Sequence, residues 1–217
     1  MTYSTIFVAL LFTFFQEDPD PTRFEKTIVA FEEADKTNPP SRENLTLFVG
    51  SSSIVMWKSV KEDFMGYNVI NRGFGGSHNS DVIYYFDRIV KNYNPSRIVY
   101  YEGDNDIASR KPVEQAFGDF VTVAELIKKH LPDTKVAVLS AKPSPSRWHW
   151  RQEYEEYNER VRVFCYNEPQ FEYADIFSPM IEKYGRPDGA LYVADSLHMS
   201  DKGYEIWKEV INDFITE

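Results

Sequence analysis

The chain has 217 residues, which at roughly 150 residues per domain fits one globular unit with ordinary termini. Hydrophobic residues at 42% exclude a disordered chain, and a core of this size needs neither disulfides nor a structural metal. With 24 basic against 34 acidic side chains the net charge is −10, which disfavours nucleic acid or an anionic membrane surface as a partner.

Residues 6–15 (IFVALLFTFF) are an unbroken apolar run about half as long as the roughly 20 residues a spanning helix needs, so no membrane anchor is expected. The run suits a signal-peptide core with an abrupt polar exit at Gln16-Glu17-Asp18-Pro19, although no Lys or Arg precedes it and no A-x-A-like site follows. Residues 1–16 are read as a signal peptide or a buried N-terminal apolar segment, and residues 17–217 as the folded domain. Export, periplasmic or secreted, is expected over a cytoplasmic location, with a mature chain starting near Gln16.

From Thr22 onward β-branched runs alternate with helical periods, the pattern of βαβ units around a parallel sheet covered on both faces. Thr22-x-x-Glu25 reads as a capping box opening a helix with Phe24, Ile28 and Phe31 on one face, ended near Asn38-Pro39-Pro40. Residues 45–49 are the first expected strand and run into Gly50-Ser51-Ser52-Ser53. A short strand at 69–70 precedes Asn71-Arg72-Gly73-Phe74-Gly75-Gly76, and a helix with Val82, Ile83, Phe86 and Ile89 inward stops before Pro95. The strand at 97–101 leaves through Glu102-Gly103-Asp104-Asn105-Asp106. Pro112 then suits the first position of a helix striped by Val113, Ala116, Phe117, Phe120, Ala124 and Ile127. A fourth strand at 135–139 leads to residues 142–150 (KPSPSRWHW), too rich in Pro and Ser for a regular element. The helix after it carries Tyr154, Tyr157, Val161, Phe164 and Cys165; the lone cysteine has no disulfide partner and reads as a packed small hydrophobe. A fifth strand at 171–174 and a last helix capped by Ser200, with Tyr204, Trp207, Ile211 and Phe214 buried, complete the pattern.

In open α/β sheets ligands sit beyond the carboxyl ends of the strands, where the loops at Ser52, Gly76 and Asn105 fall. Singly, each loop has an ordinary reading: a capping serine, glycines supplying positive φ to a turn, an Asx turn at Asn105, and an exposed Asp195-x-x-His198 loop. Four blocks in this order resemble the SGNH hydrolase superfamily, the GDSL-type lipases and esterases. They are Phe48-Val49-Gly50-Ser51-Ser52, Asn71-Arg72-Gly73-Phe74-Gly75-Gly76, Gly103-Asp104-Asn105-Asp106 and Asp195-Ser196-Leu197-His198, so the resemblance spans about residues 45–207. It implies a flavodoxin-like three-layer α/β/α fold with a central parallel sheet of about five strands. It also implies a serine esterase that uses no cofactor and no metal, with Ser52 as nucleophile, Gly76 and Asn105 as oxyanion donors, and Asp195 and His198 as acid and base. One position departs from the pattern: the aspartate usual before the nucleophile is here Ser51, which leaves the hydrogen bonding of that turn to be found.

The same residues suit that chemistry on physical grounds. A serine hydroxyl is too weak an acid to attack an ester unaided and needs a neutral imidazole within hydrogen-bond reach. His198 is the best candidate of four, because Asp195 three residues earlier can hold one ring nitrogen's proton and present the other nitrogen to the serine. A tetrahedral intermediate needs donors already in place: the backbone N–H groups of Ser52 and Gly76 and the Asn105 amide, where an ionised aspartate could not donate.

His130 closes a helix beside its last carbonyls, and His78 is either a lining residue of the site or a solvated loop residue. His149 lies between Trp148 and Trp150, a cluster that reads as a sugar-stacking surface, an acyl-pocket wall, or loop aromatics packed on the domain edge; His78, Trp148 and Trp150 are carried as substrate contacts. Trp57 reads as core, and Glu153, Glu155, Glu156 and Glu159 as a solvated helical face. The expected reaction is hydrolysis of short-chain acyl esters, acetyl included, of carbohydrates or small alcohols through an acyl-enzyme on Ser52. The alternatives are acyl transfer with the same residues and a non-catalytic carbohydrate-binding protein of the same shape. The expected partner is thus a small-molecule or carbohydrate ester, with no nucleic acid and no stable membrane anchor.

Overall fold

Five runs rich in β-branched and aromatic residues form one sheet in this computed structural model, which describes residues 16–217; the apolar run at 6–15, read above as an export signal, lies outside them. The strands are β1 (Thr46–Gly50), β2 (Val69–Asn71), β3 (Arg97–Tyr101), β4 (Lys135–Leu139) and β5 (Phe171–Ala174). All neighbours pair in parallel in the order β2-β1-β3-β4-β5. Such strands are apolar along nearly their whole length because helices cover both faces. Alternate residues serve the two cores: Leu47, Val49, Ile98 and Tyr100 face one, and Phe48, Val99 and Tyr101 the other.

The first face is covered by α1 (Glu25–Thr37), α4 (Asn79–Ile89), α6 (Val113–His130) and α7 (Arg151–Asn167), through Ile28, Val82, Phe86, Phe120 and Tyr154. The second is covered by α2 (Ser52–Val55), α3 (Val60–Asp63) and α8 (Asp201–Thr216), through Ile54, Val60, Trp207 and Ile211; α5 (Asp104–Ala108) follows β3. This is the three-layer, flavodoxin-like α/β/α arrangement, with its topological switch point between β1 and β3. Trp57 belongs to the second core as read, and Cys165 to the first, where burial pushes its thiol up to about 12. Trp57 stacks on Tyr204 at 5.3 Å, Trp207 lies 4.7 Å from Tyr101, and the Tyr204 hydroxyl donates to the Ser53 carbonyl at 2.9 Å. These contacts fix α8 against α2.

Local chemistry departs from expectation at a few termini. Thr22 and Glu25 form no capping box: Asp20 caps a 3₁₀ turn at Pro21–Phe24 by accepting from the Thr22 N–H, and Glu25 pairs with Arg88 instead. Pro112 is the residue before α6 rather than its first. Ser200 stands at the start of α8, but its hydroxyl donates to the Ala190 carbonyl at 3.0 Å. Part of the Pro/Ser-rich loop is ordered as a 3₁₀ helix at Pro145–Trp150, where a proline at the first position needs no N–H partner.

Candidate active site

Gly50 ends β1 without a side chain because a Cβ there would lie 2.2 Å from the Tyr101 carbonyl oxygen of β3. That close approach lets the Ser51 N–H donate to the same oxygen at 3.2 Å, while the Ser51 carbonyl accepts from Ile54 and Val55. The chain thus turns directly into α2 with Ser52 as its first residue. Main-chain groups of Ser51 supply these bonds, so the turn forms without the aspartate that the resemblance implies at this position.

Ser52 is met by a residue 146 positions away: His198 Nε2 lies 3.0 Å from Ser52 Oγ. His198 Nδ1 lies 2.6 Å from Asp195 Oδ2, and the other Asp195 oxygen accepts the N–H groups of Leu197 and His198 at 2.9 Å each. The bond to the His198 ring, then the two backbone bonds, hold the Asp195 carboxyl at about 2, so it is ionised throughout the working range. The turn carrying these residues is closed by Val193 N–H to His198 O and Ser196 N–H to Val193 O, both 2.9 Å, with Ser196 in the left-handed region at φ +59°.

The loop after β2 passes close to the serine, since a Cβ on Gly75 would lie 3.5 Å from Ser52 Cβ. Asn71 ties this loop to α2, accepting from the Gly73 N–H at 2.9 Å and donating to the Ile54 carbonyl at 2.6 Å. Gly76 has φ +87°, and neither its N–H nor that of Ser52 finds an acceptor among the described residues. The Asn105 amide donates to the Ser77 carbonyl at 2.9 Å, leaving its second hydrogen without an acceptor among the described residues. Ser52, Asp195 and His198 therefore come together at the carboxyl end of the sheet, with the loop that holds Gly76 beside Ser52 and Asn105 bonded to that loop.

The other candidates do not join it as expected. His78 is buried behind the site, 3.1 Å from Ser109 Oγ, and burial pushes it toward the neutral form; it is not available as a substrate contact. Trp150 is half-buried against the first core, as domain-edge packing predicts. Trp148 is half-buried, stacked on Phe177 with centroids 6.4 Å apart and with Arg151 5.1 Å from its ring. His130 ends α6 with its ring 6.1 Å from Phe86 and makes no bond to the carbonyls expected to hold it. Glu155, Glu156 and Glu159 pair with arginines on the outer face of α7.

Sequence reasoning missed a charged cluster directly behind Asn105. Asp104 is buried and accepts from Lys142 at 2.6 Å, Arg147 at 2.6 Å, Tyr101 at 2.8 Å and Tyr154 at 2.9 Å. Burial pushes its carboxyl up, but the Lys142 and Arg147 charges outweigh this and hold it well below the usual carboxylate range. Lys142 and Arg147 lie in the loop dismissed as irregular, and the one signal for them was two cations following a strand's carboxyl end. Beside them Glu102 is buried, bonded to the Ser77 hydroxyl, and burial pushes its carboxyl well above the ordinary range.

Clefts of about 320 Å³ beside Glu32, Asp35 and Tyr93, and about 670 Å³ beside Asn44, Asn68 and Arg97, open at the amino ends of the strands, away from Ser52. The described residues hold no group of acidic, histidine or cysteine side chains arranged to bind a metal, and no helix among them is long and apolar enough to cross a membrane.

A carboxylate, an imidazole and a hydroxyl in hydrogen-bonded series at the switch point of a parallel sheet define a serine hydrolase on an α/β fold. Residues 51–206 match the GDSL-like lipase/acylhydrolase family, and the chain belongs to it. Its members are serine ester hydrolases of the SGNH type, and this protein is a carboxylic ester hydrolase of that class. Among solved structures it resembles a Streptococcus pneumoniae protein described as a candidate platelet activating factor, at 21% identity and TM-score 0.77, covering 88% of this chain and 92% of that one. It resembles a GDSL-like lipase from Bacteroides thetaiotaomicron at 23% identity and TM-score 0.73, covering 91% and 97%. A catalytic mutant of an acetylxylan esterase from Geobacillus stearothermophilus aligns at 14% identity and TM-score 0.63, covering 79% and 94%. No curated protein matches the chain.

Proposed function

We propose that the protein removes short acyl groups, acetyl among them, from carbohydrates or small alcohols, with Ser52 as nucleophile, His198 as base and Asp195 as its orienting carboxylate. The observation that carries this reading is the 3.0 Å contact between Ser52 Oγ and His198 Nε2, with Asp195 2.6 Å from the other ring nitrogen. With the Nδ1 proton tied to Asp195, Nε2 accepts the Ser52 proton as Oγ attacks the ester carbonyl. Charge forming on the carbonyl oxygen is met by the N–H groups of Ser52 and Gly76 and the free Asn105 amide hydrogen. His198 then returns the proton to the departing alcohol, and a water deprotonated by the same nitrogen releases the acid and restores Ser52. Asp195 remains ionised and stabilises the imidazolium in both halves of the cycle.

The acetylxylan esterase among the structural relatives supports an acetylated carbohydrate as substrate. This reading also takes the chain as exported with a mature start near Gln16, which N-terminal sequencing of the secreted product tests. The central experiment is a series of nitrophenyl esters from acetate to decanoate, together with an acetylated xyloside, on the parent and Ser52→Ala. Rates are expected to fall with acyl length and to vanish in Ser52→Ala with an unchanged circular dichroism spectrum. Turnover by the variant would refute the assignment.

A further inference from the structure

We propose that Arg147 is a positioning residue for the oxyanion site: it holds the Asn105 amide in its donating orientation and sets a guanidinium beside it. The inference rests on the reading of Asn105 as an oxyanion donor.

The terminal torsion of an asparagine has two broad wells that interchange its oxygen and nitrogen, and only one presents N–H to a developing oxyanion. At Asn105 neighbours of opposite kind force the choice. Arg147 Nη1, which can only donate, lies 3.0 Å from Oδ1, and the Ser77 carbonyl, which can only accept, lies 2.9 Å from Nδ2. A flipped amide would set donor against donor and acceptor against acceptor. The orientation that satisfies both neighbours leaves one Nδ2 hydrogen for a ligand.

Arg147 is itself held, since the same Nη1 lies 2.6 Å from Asp104 Oδ1. Lys142 takes the other carboxylate oxygen at 2.6 Å. The hydrogen-bonded cluster therefore contains two cations and one carboxylate, and one of the cations, Arg147, lies 3.0 Å from the amide oxygen. A cation there draws electron density toward Oδ1, making the N–H a stronger donor, and it acts in a half-buried site where water screens it weakly. The loop carrying Arg147 also reaches the acid and base: the Ser146 N–H donates to the Ser196 carbonyl at 3.1 Å, and the Tyr192 hydroxyl donates to the Pro143 carbonyl. One loop thus spans the oxyanion side and the Asp195–His198 turn.

The test is a double-mutant cycle on a short activated ester, with Arg147→Met, Asn105→Ala, the double variant and Arg147→Lys. Arg147→Met is expected to lower kcat by about tenfold or more, as a slightly misplaced donor does, with little change in KM. In the Asn105→Ala background the same change is expected to alter kcat by less than about twofold, because no amide remains to orient. Arg147→Lys, which keeps the charge but loses the planar fork, should lie between parent and Arg147→Met; if Arg147→Met fails to fold, the cycle is run with Arg147→Lys. An equal loss in both backgrounds, a loss confined to KM, or no loss would overturn the inference while leaving Asn105 as donor. An Asn105→Ala variant with full kcat would overturn the underlying site assignment and this inference with it.

Discussion

Replacing Lys142 by methionine removes one charge from a pair almost wholly withdrawn from water, since the Lys142 side chain is 1% exposed and that of Asp104 4%. Breaking a buried pair from one side costs about 3–5 kcal/mol, because the remaining charge stays desolvated. Here Asp104 keeps Arg147 and two tyrosine hydroxyls, and methionine fills most of the vacated volume, so the low end, about 3 kcal/mol, applies. At about 2–4 °C per kcal/mol for a chain of this size, the midpoint of thermal unfolding should fall by about 6–12 °C. The sign of the pH dependence is also set. The Asp104 carboxyl is depressed in the folded state, so its contribution is present above the unfolded value of about 3.9 and is lost as pH falls through the folded value. Removing Lys142 raises that folded value. The gap between parent and variant should therefore be widest near neutrality and close on acidification. Scanning calorimetry at several pH values measures both. A loss of less than about 2 °C near pH 7, or a gap of the same size at acid pH, would refute the account of Asp104 as an ionised, paired carboxylate.

Asp195→Asn should lower kcat by about 10³ to 10⁴ with the fold intact, as loss of the tautomer-setting carboxylate does. Because Asp195 is held at about 2 and stays ionised, its carboxyl should add no second proton to the acid limb of kcat/KM; a two-proton limb would remove Asp195 from its assigned state. Glu102 carries its carboxyl well above the ordinary range, so the folded chain holds a proton that the unfolded chain loses above about pH 4.3. Its contribution to stability falls as pH rises, and Glu102→Gln should gain in melting temperature relative to the parent between about pH 5 and pH 8; parallel curves would contradict this. Gly103 has φ +100° and a Cβ there would lie 2.4 Å from the Tyr157 ring, so Gly103→Ala should cost about 2–5 kcal/mol in urea unfolding. Adding Tyr157→Val should make the pair less destabilised than the sum of the single variants; simple additivity would show that the two do not meet.

Strand positions were legible because a parallel sheet covered on both faces demands short apolar runs, and the runs ending at Tyr101, Leu139 and Ala174 have no other use. Their lateral order was not, because the placement of β3 beside β1 is decided by crossover packing rather than by either strand's composition. That Ser52, Asp195 and His198 would meet could be read since the proposed chemistry restricts residue type at each point. His78 could not be placed, because the same residue after a glycine loop is solvated or buried according to how α5 lies against it. Thr22 and Glu25 show the same competition at short range: Asp20 was the nearer acceptor for the first turn, and Arg88, 63 positions away, claimed Glu25. Lys142 and Arg147 were hidden by proline and serine, which mark an irregular path without revealing what that path encircles.

Residues far apart in synthesis build this site. Ser52 leaves the ribosome 146 residues before His198, and α8, which follows His198, seats Tyr204 and Trp207 against α2 and β3. If Ser52 is the nucleophile, hydrolysis needs residues from both ends of the sequence in place, so turnover by a newly made molecule doubles as a report that its folding is complete.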